Sequence, residues 1–177
     1  GALRAAGLVF LVLAIATANK GQLTVPSGRS GKSDRKGFFH QTAITRLIRR
    51  PSVAWSLTSG LDRRLYELVK IRASQLNGCA YCLDMHLREA RELGEDQRRL
   101  DIVAAWHEAP QFFTEAERAA LALTEAITRI GRAGVPDPVW DEAAAHFSEE
   151  ELVWLIMAIS VINVWNRMAV ATHQDLP

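Results

Sequence analysis

Cys79 and Cys82 are the only two cysteines of this 177-residue chain, and their neighbours suggest chemistry. His86 follows Cys82 by four residues, and the carboxylate of Glu67 precedes Cys79 by twelve. Positions i, i+3 and i+7 of an α-helix share one face, so a helix through this segment would align Cys79, Cys82 and His86. The spacing therefore predicts two thiols beside one imidazole.

This arrangement favours reactive thiol chemistry. The thiolate is the nucleophilic form of cysteine, and a helix N-terminus, an imidazole and a second cysteine each favour it. Cys79 is predicted in the first helical turn, whereas His86 is better placed to take the proton of Cys82. Attack of Cys82 on a peroxide would give a sulfenic acid, with which Cys79 could condense to a disulfide. Another dithiol would then have to reduce that disulfide.

The elements that must position these residues are helices. Apolar residues at spacings of three and four predict a helix from Leu61 that contains Glu67 and ends at Asn77-Gly78. A second helix is predicted from about Cys79 to Glu92. If the two helices fold back on each other, the carboxylate of Glu67 can orient the imidazole of His86 and accept a proton in turn, which completes a proton relay.

The rest of the chain is also predicted to be helical. Thr114 with Glu117, and Ser148 with Glu151, form two capping boxes that open helices. Further helices are expected over residues 96–106, 114–130, 138–146 and 149–172. The last of these is apolar on nearly all sides, as is typical of a helix buried in a core or a subunit interface. No segment shows strand alternation, so the predicted fold class is all-α.

The N-terminal part has a different composition. We expect an apolar segment and linker over residues 1–37, followed by one helical domain over residues 38–177. Residues 5–18 are apolar and end in Ala16-Thr17-Ala18, which resembles a signal-peptide cleavage site, but the run is too short to span a bilayer. An ordinary packed helix and an upstream extension are the alternatives. Residues 21–37 have linker composition, and a short helix is expected around residues 42–50, ended by Pro51.

Charge and composition exclude some partners. Lys and Arg number 21 and Asp and Glu number 20, and this net charge of +1 gives no sign of a nucleic-acid or acidic partner.

A cytoplasmic location is expected, while the apolar N-terminal run leaves secretion or membrane association open.

A metal site is an alternative use of the same residues. Cys79, Cys82 and His86 could supply three zinc ligands, with His107 or a carboxylate as the fourth. Structural zinc sites, however, usually present CxxC on a turn and take their other ligands from a separate segment. Covalent haem attachment needs a histidine directly after the second cysteine, where this chain has Leu83. We therefore expect no metal and no cofactor, and a non-enzymatic scaffold and a slow redox sensor stay open as alternatives.

Residues 67–86 resemble the alkylhydroperoxidase D-like (AhpD-like) proteins of the carboxymuconolactone decarboxylase superfamily. The motif there is a Glu, eleven residues, and then CxxCxxxH, and Glu67, Cys79, Cys82 and His86 match all four positions. The likeness extends with less specificity over residues 61–173. Lactone decarboxylases of the superfamily lack the cysteine pair, which disfavours that activity here.

The resemblance implies a multi-helix fold that assembles into trimers or hexamers and has peroxidase activity. It implies that Cys82 forms the sulfenic acid, that Cys79 is its resolving partner and proton donor, and that Glu67 and His86 form the relay. The implied partners are a hydroperoxide and a dithiol-bearing reductant, either a thioredoxin-like or a lipoylated protein.

Overall fold

The computed structural model describes residues 61–176, and within that range the chain forms six α-helices and no β-strand. The helices are α1 (Arg63–Asn77), α2 (Ala80–Glu92), α3 (Gln97–Ile102), α4 (Glu115–Thr128), α5 (Asp137–His146) and α6 (Glu149–Thr172). The all-α prediction is confirmed. The predictions made for the apolar segment, the linker, the boundary at residue 37 and the short helix around residues 42–50 lie outside the described residues.

Side chains at the helix starts accept hydrogen bonds from backbone N–H groups of the first turn, which have no partner within the helix. The Asp62 carboxylate accepts the backbone N–H groups of Arg64 and Leu65 at the start of α1. Both predicted capping boxes are present, at Thr114 before α4 and at Ser148 before α6. These local signals explain why the predicted and observed helix starts agree within two residues.

The helix predicted over residues 96–106 is wrong in its second half. The α-helix α3 ends at Ile102, and a 3₁₀ segment, Val103–Glu108, continues it with a kink at Ala105. Pro110 has no N–H to donate to the carbonyl of Trp106, so an α-helical turn cannot close there. The N–H of Ala109 bonds to that carbonyl instead, at 3.2 Å.

Helix α1 is the central element of the described part. Nine of its 15 residues are buried, and it packs against α2, α4 and α6. A larger apolar cluster lies between α1, α4, α5 and α6, and a second one joins α1 to α2, α3 and the 3₁₀ segment after it. A helix buried on several sides holds the polar side chains that it carries in defined positions, and Glu67 is one of them.

Helix α6 is buried along one side only. Leu155, Ile159 and Ile162 are buried against other helices, whereas Val153 and Val164 are exposed. By length and apolar composition, α6 is the one helix among residues 61–176 that could cross a membrane, although core helices pass the same test. The expected burial in a core is thus met by one face, and the trimer or hexamer stays a prediction.

A buried network of polar side chains joins α6 to α1. The Asn77 amide donates to the side-chain oxygens of Asn163 and Asn166, at 2.9 Å each. The Asn166 amide donates to the Ser74 hydroxyl at 3.0 Å, and the Asn163 amide donates to the Thr128 hydroxyl of α4 at 3.0 Å. Buried amides without such partners are costly, so the network specifies how α6 packs against the end of α1.

We predict that Asn166→Ala destabilises the protein by about 2–3 kcal/mol. The substitution removes a fully buried amide, breaks its hydrogen bonds with Asn77 and Ser74, and leaves a small cavity. Urea unfolding measures the change. Ser160→Ala, at an exposed position of the same helix, is the control and should stay within about 0.5 kcal/mol of the original chain. Equal stability of the two variants would contradict the role given to the network.

Candidate active site

The reversal of the chain between α1 and α2 brings Glu67 beside His86. Gly78 adopts a left-handed conformation (φ 65°), and its N–H bonds to the carbonyl of Gln75. The N–H of Cys79 bonds to the carbonyl of Ser74 at 3.0 Å, which closes the turn. As a result α2 packs along α1, and residues separated by 19 positions in the sequence come into contact.

Cys79 and Cys82 form a disulfide at the start of α2. Cys79 is the N-cap residue rather than a residue of the first turn, and its Sγ accepts the N–H of Cys82 at 3.3 Å. A sulfur in this position faces the positive end of the helix dipole. Each cysteine is only 2% exposed.

The wall around the disulfide comes from α1 and α6. Ala73, Ile162 and Ala169 are buried against the two cysteines, and aromatic and methionine side chains cover them further out. This outer group consists of Tyr81, Trp165 and Met168, which are partly buried. The disulfide thus lies in an apolar shell, on the side of α2 that faces α6.

Glu67 and His86 are in direct contact. The Nδ1 atom of His86 lies 3.0 Å from Oε2 of Glu67, and both side chains are buried. An ionised carboxylate only accepts hydrogen bonds, so Nδ1 carries a hydrogen, and in the neutral ring the lone pair lies on Nε2. His86 and Cys82 are one helical turn apart on α2, as the sequence predicts.

Two charged residues of the site were missed from the sequence. The Lys70 ammonium bonds to Oε1 of Glu67 at 2.5 Å and lies 3.8 Å from Oε2 of Glu89. The same Glu89 oxygen lies 3.2 Å from Nδ1 of His86. Each residue is three positions from its partner in its own helix, and this i, i+3 spacing was the available signal.

The environment lowers the pKa of Glu89 from 4.5 to about 2. The hydrogen bond from His86 is the largest cause, and it outweighs the partial burial of the carboxyl, which acts in the opposite direction. The charges of His86 and Lys70 lower the pKa further. Tyr66, next to Glu67, has its pKa raised to about 12, chiefly by burial and also by the charge of Glu67.

In the disulfide form, the residues predicted as zinc ligands have other partners. Both cysteine sulfurs are engaged in the disulfide, and His107, the proposed fourth ligand, stacks on Trp106 and lies 3.6 Å from Glu125 instead. Glu67, His86 and Glu89 present ligand atoms within 4.8 Å of one another. The ammonium of Lys70, however, already lies between the two carboxylates, so a second cation would meet a resident positive charge.

A separate group of polar contacts joins α1, the 3₁₀ segment and α4 through Arg72, Trp106 and Glu125. Arg72 donates from Nε to Oε1 of Glu125 at 2.9 Å, and its terminal Nη2 forms an ion pair with the same oxygen at 2.8 Å. Trp106 donates to that oxygen at 2.8 Å. Burial acts to raise the pKa of Glu125, but these hydrogen bonds outweigh it and lower the pKa. Of the motif positions, Glu67 contacts His86 and Cys79 is bonded to Cys82, and Cys82 precedes His86 by one turn of α2. Arg72 belongs to the packing between α1 and α4.

An all-helical fold with a buried CxxC disulfide at a helix start, next to a paired glutamate and histidine, defines a class of thiol-containing helical proteins. The model of the carboxymuconolactone decarboxylase family matches residues 49–126. The uncharacterized protein YdfG of Bacillus subtilis is 44% identical over 113 residues, which are 64% of this chain and 76% of YdfG. The chain belongs to the carboxymuconolactone decarboxylase family.

Solved structures agree with this assignment. A crystal structure of a protein of unknown function from Agrobacterium tumefaciens, a candidate antioxidant defence protein AhpD, is similar with a TM-score of 0.75 and 36% identity, over 81% of this chain and 98% of that one. An uncharacterized peroxidase-related protein from Silicibacter sp. TM1040 has a TM-score of 0.62 at 21% identity, over 75% of this chain and 70% of that one. The second likeness concerns the fold alone, whereas the first places the chain among the AhpD-like members of the family.

We predict an acid-dependent contribution of Glu89 to stability. Its folded-state pKa, about 2, lies below the unfolded value, so the carboxylate stabilises the fold above about pH 4.5 and this contribution is lost as the pH falls towards 2. Glu89 is 46% exposed in its side chain, so after allowance for solvent screening the contribution is on the order of 1 kcal/mol.

Urea unfolding of the original chain and of Glu89→Gln measures this contribution at two pH values. One is about pH 7, above both pKa values, and the other is about pH 2.5, close to the folded-state pKa. The variant should be the less stable protein at pH 7, and the difference should nearly vanish at the acid pH. A difference that is the same at both pH values would contradict the assignment.

Proposed function

We propose that this protein is a thiol-dependent peroxidase that reduces hydroperoxides with its cysteine pair and is regenerated by an external dithiol. The observation that carries the proposal is the buried contact between Oε2 of Glu67 and Nδ1 of His86, at 3.0 Å, one helical turn from Cys82. Membership of the family and the likeness to a candidate antioxidant defence protein support a role in antioxidant defence.

The first step needs a thiolate at Cys82. Nε2 of His86 takes the thiol proton, and Glu67 stabilises the resulting imidazolium at Nδ1. The thiolate then attacks the terminal oxygen of the hydroperoxide, so that an S–O bond forms and the O–O bond breaks. The alkoxide that leaves takes the proton back from His86 and departs as an alcohol, and Cys82 is left as a sulfenic acid.

The second step forms the disulfide. The sulfur of Cys79 attacks the sulfur of Cys82, an S–S bond forms, and the S–O bond breaks. Hydroxide leaves and takes the proton of the Cys79 thiol, giving water. The separation of three residues and the observed disulfide support this step, because the two sulfurs meet within the same helical turn.

A dithiol must complete the cycle. Its first thiolate attacks one sulfur of the disulfide to form a mixed disulfide, and its second thiol releases the reduced protein. The two electrons and two protons that the hydroperoxide consumes therefore come from the dithiol. A thioredoxin-like protein and a lipoylated protein are the two reductant classes that supply such a pair.

We predict that the reduced protein loses two hydrogens in intact-mass measurement after one equivalent of an alkyl hydroperoxide. Cys79→Ser should instead gain one oxygen at Cys82, which dimedone traps, and Cys82→Ser should not react with the same equivalent. These results follow because Cys82 is one helical turn from His86 on α2, whereas Cys79 is the N-cap residue before that helix. A trapped sulfenic acid at Cys79 in the Cys82→Ser variant would reverse the two assignments, and unchanged mass in all three proteins would contradict the peroxidase proposal.

We predict that Glu67→Gln slows disulfide formation by about 100-fold, because the imidazolium loses its buried counter-charge while the side chain keeps its shape. Stopped-flow consumption of hydroperoxide by the reduced protein measures the rate. Glu92→Gln makes the same chemical change at an exposed position of α2 and should leave the rate within twofold. Equal rates in the two variants would remove Glu67 from the mechanism.

The burial of both sulfurs favours a second candidate, a slow redox sensor. A dithiol must reach a sulfur in line with the S–S bond, and each cysteine is only 2% exposed. The mass experiment separates the two candidates when a thioredoxin-like or a lipoamide dithiol is then added. Return of the two hydrogens within the turnover time supports a peroxidase, whereas a disulfide that persists for minutes supports a sensor.

A further inference from the structure

Two charged side chains beside the relay of Glu67 and His86 have no role in the proposed mechanism. We define the His86 cluster as Glu67, Lys70, His86 and Glu89. Nδ1 of His86 contacts both carboxylates, at 3.0 Å from Glu67 and 3.2 Å from Glu89. Lys70 bonds to the other oxygen of Glu67 and also lies 3.8 Å from Glu89. One N–H group therefore has two anionic acceptors, and one ammonium neutralises part of their charge.

The charge of the His86 cluster depends on the proton of His86. With a neutral imidazole the two carboxylates and Lys70 leave one net negative charge, and with a protonated imidazole the cluster is neutral. The side chains of Glu67, Lys70 and His86 are only 8%, 15% and 6% exposed, so a net charge among them is poorly solvated. Glu89, the fourth member, is 46% exposed and connects the cluster to solvent.

The remaining charged and titratable groups near His86 do not alter this balance. On α1, Tyr66 lies under the Lys70 ammonium, and its pKa of about 12 keeps it neutral at working pH. On α6, Arg167 is the only charged side chain after Glu151, and it donates to Asn163. On α2, Tyr81 packs against the cysteines. Among the described residues, Glu89 is thus the charged group besides Glu67 that contacts His86, and Lys70 is the charged group that contacts Glu67 and lies near Glu89.

We propose that Glu89 and Lys70 are positioning residues with opposite electrostatic effects on the protonated form of His86. Glu89 stabilises the imidazolium by direct contact with Nδ1. Lys70 destabilises the imidazolium because its ammonium partly neutralises the charge of Glu67. The inference rests on the proposed role of His86 as the base for Cys82. Through His86, Glu89 favours the Cys82 thiolate at neutral pH, and Lys70 limits how strongly the proton is held, so that it can return to the leaving alkoxide.

The effect on Glu89 supports the same interaction from the other side. The hydrogen bond from His86 is the largest cause of the low pKa of Glu89, and interaction free energies between two titrating groups are reciprocal. Whatever stabilises the Glu89 carboxylate next to an imidazolium stabilises that imidazolium equally. Glu89 also repels a thiolate at Cys82, but it is two helical turns from Cys82 and in contact with His86, so the attraction dominates.

The test uses Cys79→Ser as the background, so that Cys82 is the single thiol, and measures its alkylation by iodoacetamide as a function of pH. Glu89→Gln keeps an acceptor for Nδ1 but removes the charge, and it should raise the midpoint of alkylation by about 1 pH unit. Lys70→Met should lower that midpoint. Glu92→Gln, an exposed charge change on α2, should leave it in place.

A second readout does not depend on thiol chemistry. In NMR titration of the His86 ring, Glu89→Gln should lower the titration midpoint and Lys70→Met should raise it. An unchanged His86 midpoint in Glu89→Gln, or shifts of the same sign in Glu89→Gln and Lys70→Met, would overturn the inference whatever the peroxide activity. If the His86 midpoints shift in opposite directions but peroxide forms no disulfide in the chain with both cysteines, the inference stands and the proposed function fails.

Discussion

At Gly78 the backbone enters the left-handed region, with φ 65°, which a residue with a Cβ atom adopts only at a cost. The reversal there lays α2 along α1 and determines which residues of the two helices meet. Glu67 contacts His86 because of it, and Cys79 becomes the cap of α2 because the turn ends at that residue. The position of the disulfide, its apolar cover and the charged groups beside it all follow from this one change of direction.

Burial and charge are balanced closely in this site. Glu67 and His86 are almost fully enclosed, and an isolated charge in such a place costs several kcal/mol. Mutual hydrogen bonding and the ammonium of Lys70 offset that cost. The buried amides between α1 and α6 hold the other side of the turn, next to the cysteines. The side chains that surround the disulfide are therefore held by the core.

Much of the fold and of the site could be predicted because the relevant signals are local. Thr114 and Ser148 cap helices through residues three positions further on, and Cys82 and His86 are neighbours on any helix that contains both. The helix predicted over residues 96–106 was wrong in its second half, where the 3₁₀ segment begins at Val103 and is kinked at Ala105, because apolar spacing does not separate 3₁₀ from α geometry over one turn. Lys70 and Glu89 were missed because charged residues at i, i+3 are common on solvated helix faces.

By itself the sequence determined the helical class, most helix boundaries and the common helix face of Cys82 and His86, since each depends on residues at most a few positions apart. Only the tertiary structure decided that Lys70 and Glu89 join Glu67 around His86, that one face of α6 covers the disulfide, and that Asn163 and Asn166 meet Asn77. The contacts between α1 and α2 join residues 19 positions apart, and those of Asn77 with α6 join residues 86 and 89 positions apart. They depend on how buried surfaces pack, and hydrophobic periodicity alone does not specify which polar groups then meet.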